Sequence, residues 1–410
     1  MELSAASEVT FLYWLLLFGL ASLMYLMIRL LHLASPSSTP LLTYKDSQFC
    51  QNIIKACPLL LEPYVPPLIW GKSGHLQTII YGKLGRVKSP FPRGERISIL
   101  MADGATMTYD IFEPLNQHVS EGDITIAICP GLANSSESVY IRTCVDYAQN
   151  KGYRVAVLNH MGAIKSIKLT APRIFTYGDT EEYGAMIDDL HRRYPNTRII
   201  ATGFSMGGNI VLKYCGESPD NERKVIAVMS LCQGYDIAKG AKELTKSWTS
   251  VGHLYLFAMT LHQKGLIFHH KEQLLGKQTC ERYGFVPSES AIKAATNLKQ
   301  IDEAYGCKLA GFSSTEQYYE WASSVYYMKN IKLPMFLLNA TDDPIVPPPL
   351  INAAREAART KENTIHVETQ HGGHLGFFEG NLFIPEAITW LDKVVVQYAD
   401  AIVTTISKTK

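Results

Sequence analysis

The sequence predicts an α/β fold with a mostly parallel central β-sheet that helices cover on both faces. Hydrophobic residues make up 47% of the 410 residues and charged residues only 19%, which excludes a disordered chain and provides a large core. Two short apolar runs flank a tight-turn signal near residue 103, as in a β-hairpin. Beyond that hairpin, apolar runs alternate with amphipathic stretches, as strands and helices do in a parallel sheet.

The overall charge and the cysteines exclude several classes of protein. The 39 basic and 38 acidic side chains give a formal net charge of +1, and no run of Lys and Arg is dense enough to bind nucleic acid. Eight cysteines are too few for a disulfide scaffold in a chain of this length. None of them forms the C-x-x-C motif of zinc ribbons and thioredoxin-like redox proteins. We therefore expect neither a nucleic-acid partner nor a disulfide framework.

Residues 9–28 form an uncharged, apolar segment that predicts a membrane-spanning helix. Twenty helical residues extend about 30 Å, the thickness of the hydrocarbon core of a bilayer. A cleaved signal peptide is the alternative, but such a peptide has a basic leader and an apolar core of about 7–15 residues. Here the leader, MELSAASE, is acidic and the apolar run is longer. We predict a retained anchor in the lipid bilayer, followed by a short linker over residues 34–40.

The charges next to this segment bear on its orientation. Lys and Arg close to a span tend to remain in the cytoplasm. Glu2 and Glu8 precede the segment and Arg29 follows it. This tally favours a cytoplasmic C-terminal domain.

The body of the chain supplies the strands and helices of the predicted sheet. The opening hairpin comprises residues 97–100 and 107–112 around the turn Asp103-Gly104. Asp179 and Glu182 have the spacing of a capping box before a helix at 180–194. Further strands are predicted at residues 124–129, 153–158, 198–203, 225–231, 334–339 and 364–368. Further helices are predicted at residues 139–149, 208–213, 350–360 and 386–401.

Residues 235–330 break this alternation because they lack clean strands and are rich in aromatic side chains. One interpretation is an ordinary helical insertion with a small core of its own. The other is a cap that lies over a binding or active site and lines an apolar pocket. Both can hold at once. The predicted division of the chain is 1–33 for the anchor, 34–95 for a linker and N-terminal extension, 96–236 with 331–405 for the core, and 237–330 for the cap.

The segment Gly203-Phe204-Ser205-Met206-Gly207 fits the G-x-S-x-G motif of a nucleophile elbow. The motif alone is weak, but here it directly follows a predicted strand and precedes a predicted helix. Such a turn strains the serine backbone and projects the hydroxyl above the sheet. The partial positive charge of the helix N-terminus favours a developing oxyanion. We therefore predict Ser205 as a nucleophile rather than part of a plain glycine-rich turn.

A serine nucleophile needs a general base and an orienting acid, which follow it along the chain in elbow enzymes. Asp343 follows the predicted strand at 334–339, and His374 lies in a Gly-rich turn after the strand at 364–368. Both loops open at the carboxyl edge of the sheet, where Ser205 also emerges. Asp342 as the acid and His371 as the base are left open as alternatives. We do not predict a metal at these histidines, because no H-E-x-x-H or further ligand spacing accompanies them.

The loop after the strand at 124–129 is the candidate oxyanion hole. Backbone N–H groups from this loop and from the residue after the nucleophile form the hole in elbow enzymes. The predicted donors are Leu132 and Met206.

Other motifs do not support a function. Gly71-Lys72-Ser73 resembles the end of a phosphate-binding loop, but Pro66 replaces the first glycine. His118 and Asp123 match an H-x4-D acyltransferase pattern, in what we interpret as a solvated loop. Asn134 and Asn339 lie in glycosylation sequons beside the predicted catalytic loops, where a glycan would obstruct the entrance, so we interpret both as chance matches.

Five blocks of the sequence resemble a known family. Together they are similar to the membrane-anchored α/β-hydrolase-domain family, in its type 2 monoacylglycerol lipase group. The resemblance extends from about residue 57 to residue 401 and includes the N-terminal anchor. The block at residues 371–380 is far more specific than G-x-S-x-G alone. The blocks are WGKSGHLQT at 70–78, PGL at 130–132, GFSMG at 203–207, DDP at 342–344 and HGGHLGFFEG at 371–380.

The resemblance implies an α/β-hydrolase fold in which Ser205 is the nucleophile, Asp343 the acid and His374 the base. It implies a serine esterase or lipase that cleaves monoacylglycerols such as 2-arachidonoylglycerol, and this mechanism needs no cofactor. The alternatives are a lysolipid acyltransferase and a protein that binds a lipid or hormone on the same fold.

The resemblance also bears on location and regulation. It implies a single-pass type II anchor in the plasma membrane or endoplasmic reticulum, against the charge tally, and we adopt this orientation. By resemblance alone a steroid-type ligand is a candidate partner, and no residue of the sequence indicates where it would bind.

Overall fold

Nine β-strands form one sheet in the computed structural model, which describes residues 2–84, 86, 90–245 and 252–408. The strands are β1 (Leu41–Thr43), β2 (Glu95–Leu100), β3 (Thr106–Phe112), β4 (Ile124–Cys129), β5 (Arg154–Asn159), β6 (Arg198–Phe204), β7 (Ala227–Leu231), β8 (Met335–Ala340) and β9 (Thr364–Thr369). They lie in the order β1-β9-β8-β7-β6-β4-β5-β3-β2. Six neighbouring strands in this order are parallel to one another, namely β9, β8, β7, β6, β4 and β5. The outer pairs β1–β9, β2–β3 and β3–β5 are antiparallel.

The described residues form helices on both faces of this sheet and between β7 and β8. The helices outside that interval are α1 (Glu2–Leu30), α2 (Gln48–Ala56), α3 (Gly74–Ile79), α4 (Val139–Asn150), α5 (Glu181–Arg193), α6 (Met206–Glu217), α7 (Pro219–Arg223), α16 (Asn352–Thr360) and α17 (Trp390–Lys408). Between β7 and β8 lie α8 (Ile237–Thr245), α9 (Gly252–His269), α10 (Lys271–Leu274), α11 (Lys277–Tyr283), α12 (Glu289–Ala294), α13 (Leu298–Ile301), α14 (Cys307–Leu309) and α15 (Thr315–Ala322). The chain is therefore an α/β protein with a helical insertion before β8.

The core has one layer on each face of the sheet, because successive side chains of a strand point to opposite sides. In β4, Ala127 and Cys129 pack with α5 on one face. Ile126 and Ile128 pack with α4 and α17 on the other. All six residues of β4 are buried, as expected for a central parallel strand. All eight cysteines are free, and those in the two layers act as small apolar side chains.

The N-terminal helix α1 contains a 22-residue stretch, Val9–Leu30, with a mean hydropathy of 2.1. None of this stretch is buried in the molecule. By length and composition it could cross a membrane, and it includes the predicted span at residues 9–28.

The predicted linker and extension are more ordered than the sequence indicates. Residues 41–43 form β1, which adds an edge strand antiparallel to β9. The Tyr64 N–H donates to the Ser38 carbonyl at 3.1 Å, so the segment after α1 packs against the body. Strand β1 was not predicted because three residues are too few to show an alternating pattern.

The predicted capping box before α5 is wrong. The N-cap residue is Thr180, and its side chain makes no capping hydrogen bond. Glu182 pairs instead with Arg173 at 3.1 Å. Asp179 accepts a hydrogen bond from the Glu181 N–H at 2.9 Å. The tertiary ion pair with Arg173 therefore replaces the local reciprocal cap.

Candidate active site

Ser205 lies in the tight turn between β6 and α6. Its φ of 53° and ψ of −120° place a non-glycine residue in a sparsely populated backbone conformation. A Cβ on Gly203 would lie 2.2 Å from the Gly207 carbonyl oxygen, and one on Gly207 would lie 1.9 Å from the Cys129 carbonyl oxygen. Only glycine fits at both positions, because strand, turn and helix approach so closely. The turn thus presents the Ser205 hydroxyl at the carboxyl edge of the sheet.

His374 lies between Ser205 and Asp343. Its Nε2 is 2.8 Å from the Ser205 Oγ, and its Nδ1 is 2.8 Å from an Asp343 carboxylate oxygen. An ionised carboxylate can only accept, so Nδ1 donates to Asp343 and Nε2 is left to accept the serine proton. The side chain of His374 is buried, with 7% of its surface exposed. The three side chains therefore form a continuous hydrogen-bonded chain.

Asp343 is buried at the end of β8 and is held by the backbone. Its second carboxylate oxygen accepts from the N–H groups of Ile345 at 2.8 Å and Val346 at 3.0 Å. These bonds satisfy the oxygen that faces away from His374 and fix the plane of the carboxylate.

The alternative residues Asp342 and His371 point elsewhere. Asp342 accepts from the Gly373 N–H at 2.8 Å, and its other oxygen is 3.6 Å from the His371 Nδ1. The His371 Nε2 is 2.9 Å from the Ser35 Oγ. Burial raises the pKa of the Asp342 carboxyl. Among the hydrogen bonds of the described residues, neither side chain contacts Ser205.

The loop that carries Leu132 lies directly beside Ser205. A Cβ on Gly131 would be 3.5 Å from the Ser205 Cβ and 3.6 Å from the Phe204 carbonyl oxygen, so this loop packs against the turn that carries Ser205. Met206 is the first residue of α6, and the first N–H groups of a helix have no partner within the helix. Leu132 and Met206 are therefore close to Ser205 along the chain or in space, and their amides remain the predicted oxyanion donors.

Comparison with known proteins identifies the family of this chain. Residues 124–381 match the family model described as alpha/beta hydrolase fold. The chain is also 47% identical over 385 residues to proteins named Monoacylglycerol lipase ABHD2 from Mus musculus and Homo sapiens, covering 94% of this chain and 90% of each relative. Abhydrolase domain-containing protein 2 from Drosophila melanogaster is 45% identical, with 94% and 96% covered. The chain belongs to the α/β-hydrolase family. Within that family it is an ABHD2-type hydrolase.

Helix α3 of this hydrolase supports the His374 loop, a role that sequence reasoning missed. The His374 N–H donates to the Thr78 hydroxyl at 2.9 Å. The Gln77 side chain accepts from the Phe378 N–H at 2.9 Å and donates to the Gly71 carbonyl at 2.6 Å. A Cβ on Gly74 would lie 2.0 Å from the Asp342 carbonyl oxygen. The polar residues within the 70–78 block were the available signal for this supporting role. In the sequence analysis that block served only to establish the family resemblance.

Two side chains position the loop that carries Leu132. The Gly131 N–H donates to the Tyr140 hydroxyl at 2.8 Å, and the His160 Nε2 lies 2.9 Å from the Pro130 carbonyl. Burial lowers the pKa of His160 to about 4, so the ring is neutral at neutral pH and donates from Nε2. No pattern in the sequence links His160 to this loop.

A cleft adjoins Leu132 and separates the core of the hydrolase from the helical insertion. Gln263, Tyr305 and Tyr318 of the insertion line it together with Phe175 of the core. Asp302 also lines the cleft, and its carboxylate accepts a hydrogen bond from the Tyr319 hydroxyl at 2.9 Å. Burial raises the pKa of Asp302 to about 7. The cleft is therefore mainly apolar, with one carboxyl that can donate or accept near neutral pH.

The motifs set aside in the sequence have structural roles. His118 is buried rather than solvated as expected, and its Nε2 is 3.2 Å from an Asp400 carboxylate oxygen. Its loop precedes β4, at the edge of the sheet opposite Ser205. Asn339 is fully buried and donates to the Gln233 carbonyl, so the folded hydrolase has no room for a glycan there. Asn134 donates to the Leu132 carbonyl at 2.8 Å.

Within the part of the chain that the structure describes, no group of three or more His, Cys, Asp or Glu side chains could hold a metal ion. His371 and His374 contact different aspartates, as described above.

Proposed function

We propose that this ABHD2-type carboxylic-ester hydrolase is a membrane-anchored serine lipase that cleaves monoacylglycerols. The observation that carries the proposal is the chain of two 2.8 Å contacts from Ser205 through His374 to Asp343. The names of the most similar relatives, Monoacylglycerol lipase ABHD2, support the substrate class. The apolar helix α1 supports the anchor, because a bilayer-bound enzyme meets a lipid ester where that ester partitions.

In the proposed reaction, Ser205 attacks the ester carbonyl while His374 accepts its proton. The Leu132 and Met206 amides donate to the oxyanion of the tetrahedral intermediate, and Asp343 stabilises the imidazolium. The intermediate collapses when the C–O bond to glycerol breaks, and the imidazolium protonates the departing oxygen. Water then attacks the acyl-enzyme, with His374 again as the base, and releases the fatty acid. No step requires a cofactor.

The mechanism is tested by labelling of the full-length protein with a fluorophosphonate, which reacts with an activated serine. We expect labelling of the natural chain and none of Ser205→Ala. Loss of the nucleophile alone should lower kcat by on the order of 10⁶-fold. Absence of labelling in folded protein, or labelling that persists in Ser205→Ala, would overturn the assignment.

The substrate class is tested by product analysis of the same two proteins. Monoacylglycerol, lysophospholipid and diacyl phospholipid are supplied separately in vesicles, and released fatty acid is measured. We expect preferential release from monoacylglycerol. A second arm adds a lysolipid acceptor. If new diacyl product forms instead of fatty acid, the protein is an acyltransferase on the same nucleophile.

A further inference from the structure

Large apolar side chains stay exposed at two places next to the candidate active site. Transfer of such a side chain from water to an apolar phase is favourable. Grouped exposure of this kind marks a surface that meets another apolar phase. We call the two places together the apolar rim. It consists of Leu382 (54% exposed), Phe383 (62%) and Ile384 (75%) in one loop, and Leu254 (69%), Phe257 (44%) and Leu261 (48%) on α9.

The loop part of the apolar rim is a turn that is closed at its base. Gly380 and Pro385 pair across its base, and the Glu386 N–H donates to the Glu379 carbonyl at 2.7 Å. The three apolar residues between these pairs are therefore held together, and the Ile69 N–H fixes the loop to the body by donating to the Leu382 carbonyl at 3.1 Å, while all three residues stay exposed. The loop begins six residues after His374.

The helical part of the apolar rim forms one face of α9. Residues 254, 257 and 261 are spaced by three and four positions, which places them on the same side of a helix. Between them, Tyr255 stacks on the His75 ring with the ring centres 5.9 Å apart. Helix α9 therefore lies beside α3, which supports the His374 loop.

The segment that directly follows the N-terminal helix reaches the same region. The Lys72 ammonium donates to the Leu33 carbonyl at 3.2 Å and to the Ser35 carbonyl. The Ser35 hydroxyl is also bonded to His371 at 2.9 Å. Since the segment after α1 is bonded to the body in this way, the site where α1 leaves the body is fixed.

These three apolar features converge on one short segment, residues 70–75. Trp70 donates to the Phe383 carbonyl at 2.7 Å, Lys72 donates to the segment after α1, and His75 stacks on Tyr255 of α9. Six residues extend at most about 20 Å. A bilayer that takes up α1 is therefore within reach of both parts of the apolar rim.

We propose that the apolar rim inserts into the surface of the bilayer leaflet that α1 enters, so that the His374 loop faces lipid. The proposal rests on the membrane anchor of the proposed function. A bilayer fits better than a protein partner because α1 brings a membrane to this face. The apolar rim also has no charged residue at its tip that would select a particular protein. The occupant is thus the glycerol and upper acyl-chain region of a neutral lipid.

The test uses the full chain in phosphatidylcholine vesicles, with an environment-sensitive NBD fluorophore on a single introduced cysteine. Cys280, the one natural cysteine that is not buried, is first replaced by serine. The probe is placed by Ile384→Cys, by Leu254→Cys or, as a control, by Val119→Cys. Val119 is apolar and 84% exposed, but it lies at the opposite edge of the sheet, in the loop before β4.

We expect blue-shifted emission and quenching by lipids spin-labelled on the acyl chain for the probes at positions 384 and 254. The control at position 119 should report water and remain unquenched. If the protein floats with the vesicles but either rim probe behaves like the control, the rim proposal is overturned while the anchor stands. If the protein does not float with vesicles, the anchor itself is wrong and the rim proposal falls with it. Neither the fluorescence nor the flotation measurement depends on ester hydrolysis.

Discussion

His371 and His374 lie three residues apart on one loop, and each contacts a serine and an aspartate. His374 has two contacts of 2.8 Å, to Ser205 and Asp343. His371 is 2.9 Å from Ser35 but 3.6 Å from Asp342, beyond hydrogen-bonding distance. The His374 set (Ser205, His374 and Asp343) and the His371 set (Ser35, His371 and Asp342) contain the same three residue types. They differ in what surrounds the serine.

Ser205 has surroundings that Ser35 lacks. Its strained backbone sits at the end of β6, the first turn of α6 is directly behind it, and the loop that carries Leu132 is beside it. Ser35 instead lies in the segment after α1, and its hydroxyl accepts from the Gln370 side-chain amide at 2.9 Å. A serine, a histidine and an aspartate therefore make a site only where backbone N–H groups can also receive the oxyanion.

The largest expected difference between the two sets is at the aspartates. Asp343→Asn should lower kcat on a short-chain ester by on the order of 10⁴-fold, because an amide no longer selects the His374 tautomer that accepts from serine. The matched variant Asp342→Asn should change kcat by less than about tenfold. Steady-state kinetics of both variants measure the difference. Equal losses would mean that the two aspartates share the role.

A smaller effect is expected at His160, which supports the loop with Leu132. Burial lowers the pKa of His160 from 6.5 to about 4, so the unfolded state binds the proton first. The free energy of unfolding that depends on a neutral His160 is therefore fully present above pH 6.5 and is lost as the pH falls toward 4. At about 1.4 kcal/mol per pKa unit it amounts to about 3 kcal/mol. His160→Gln should flatten the dependence of the urea midpoint on pH between 7 and 4.5, whereas an unchanged slope would contradict the assignment.

Thr78 supports only the His374 set. Thr78→Val removes the acceptor for the His374 N–H, and an unsatisfied buried N–H costs about 1–3 kcal/mol. We expect a free energy of unfolding lower by about 2 kcal/mol and slower fluorophosphonate labelling of Ser205. Thr78→Ser keeps the hydroxyl and should restore both. If Thr78→Ser restores neither stability nor labelling, the threonine methyl group rather than the hydrogen bond holds the His374 loop.

The smallest effect is expected at Ser35. Ser35→Ala should leave fluorophosphonate labelling and kcat on a water-soluble ester within about twofold of the natural chain, because the described contacts of this hydroxyl are to the side chains of His371 and Gln370 and include no backbone N–H group. Gel-based labelling of Ser35→Ala beside Ser205→Ala checks this directly. Residual labelling of Ser205→Ala that disappears on removal of Ser35 would give the second set a chemistry of its own.

Much of the sheet could be predicted because its strands are long apolar runs bounded by turn signals. The run at residues 124–129 is a strand over the same six residues, and Ser205 follows its strand as the motif requires. The choice between Asp342 and Asp343 could not be made from the sequence. Adjacent residues in a loop point in different directions, and that direction depends on tertiary hydrogen bonds such as those from Ile345 and Val346.

The residues that support the site also could not be predicted from the sequence. Thr78 lies 296 positions from His374 and His160 lies 30 positions from Pro130, and neither contact belongs to a local motif. Their roles arise only when α3 and β5 are brought to the same edge of the sheet. Patterns of a few residues report local structure, and they do not report which distant hydroxyl meets a given backbone amide.

The left-handed backbone of Ser205 has a consequence for how this chain can change over time. A serine in such a conformation costs about 1–3 kcal/mol, and glycine would adopt it without that cost. Folding alone would thus favour glycine at position 205. A copy of this protein released from the demand for turnover is expected to drift toward glycine there and to gain thermal resistance as it loses reactivity.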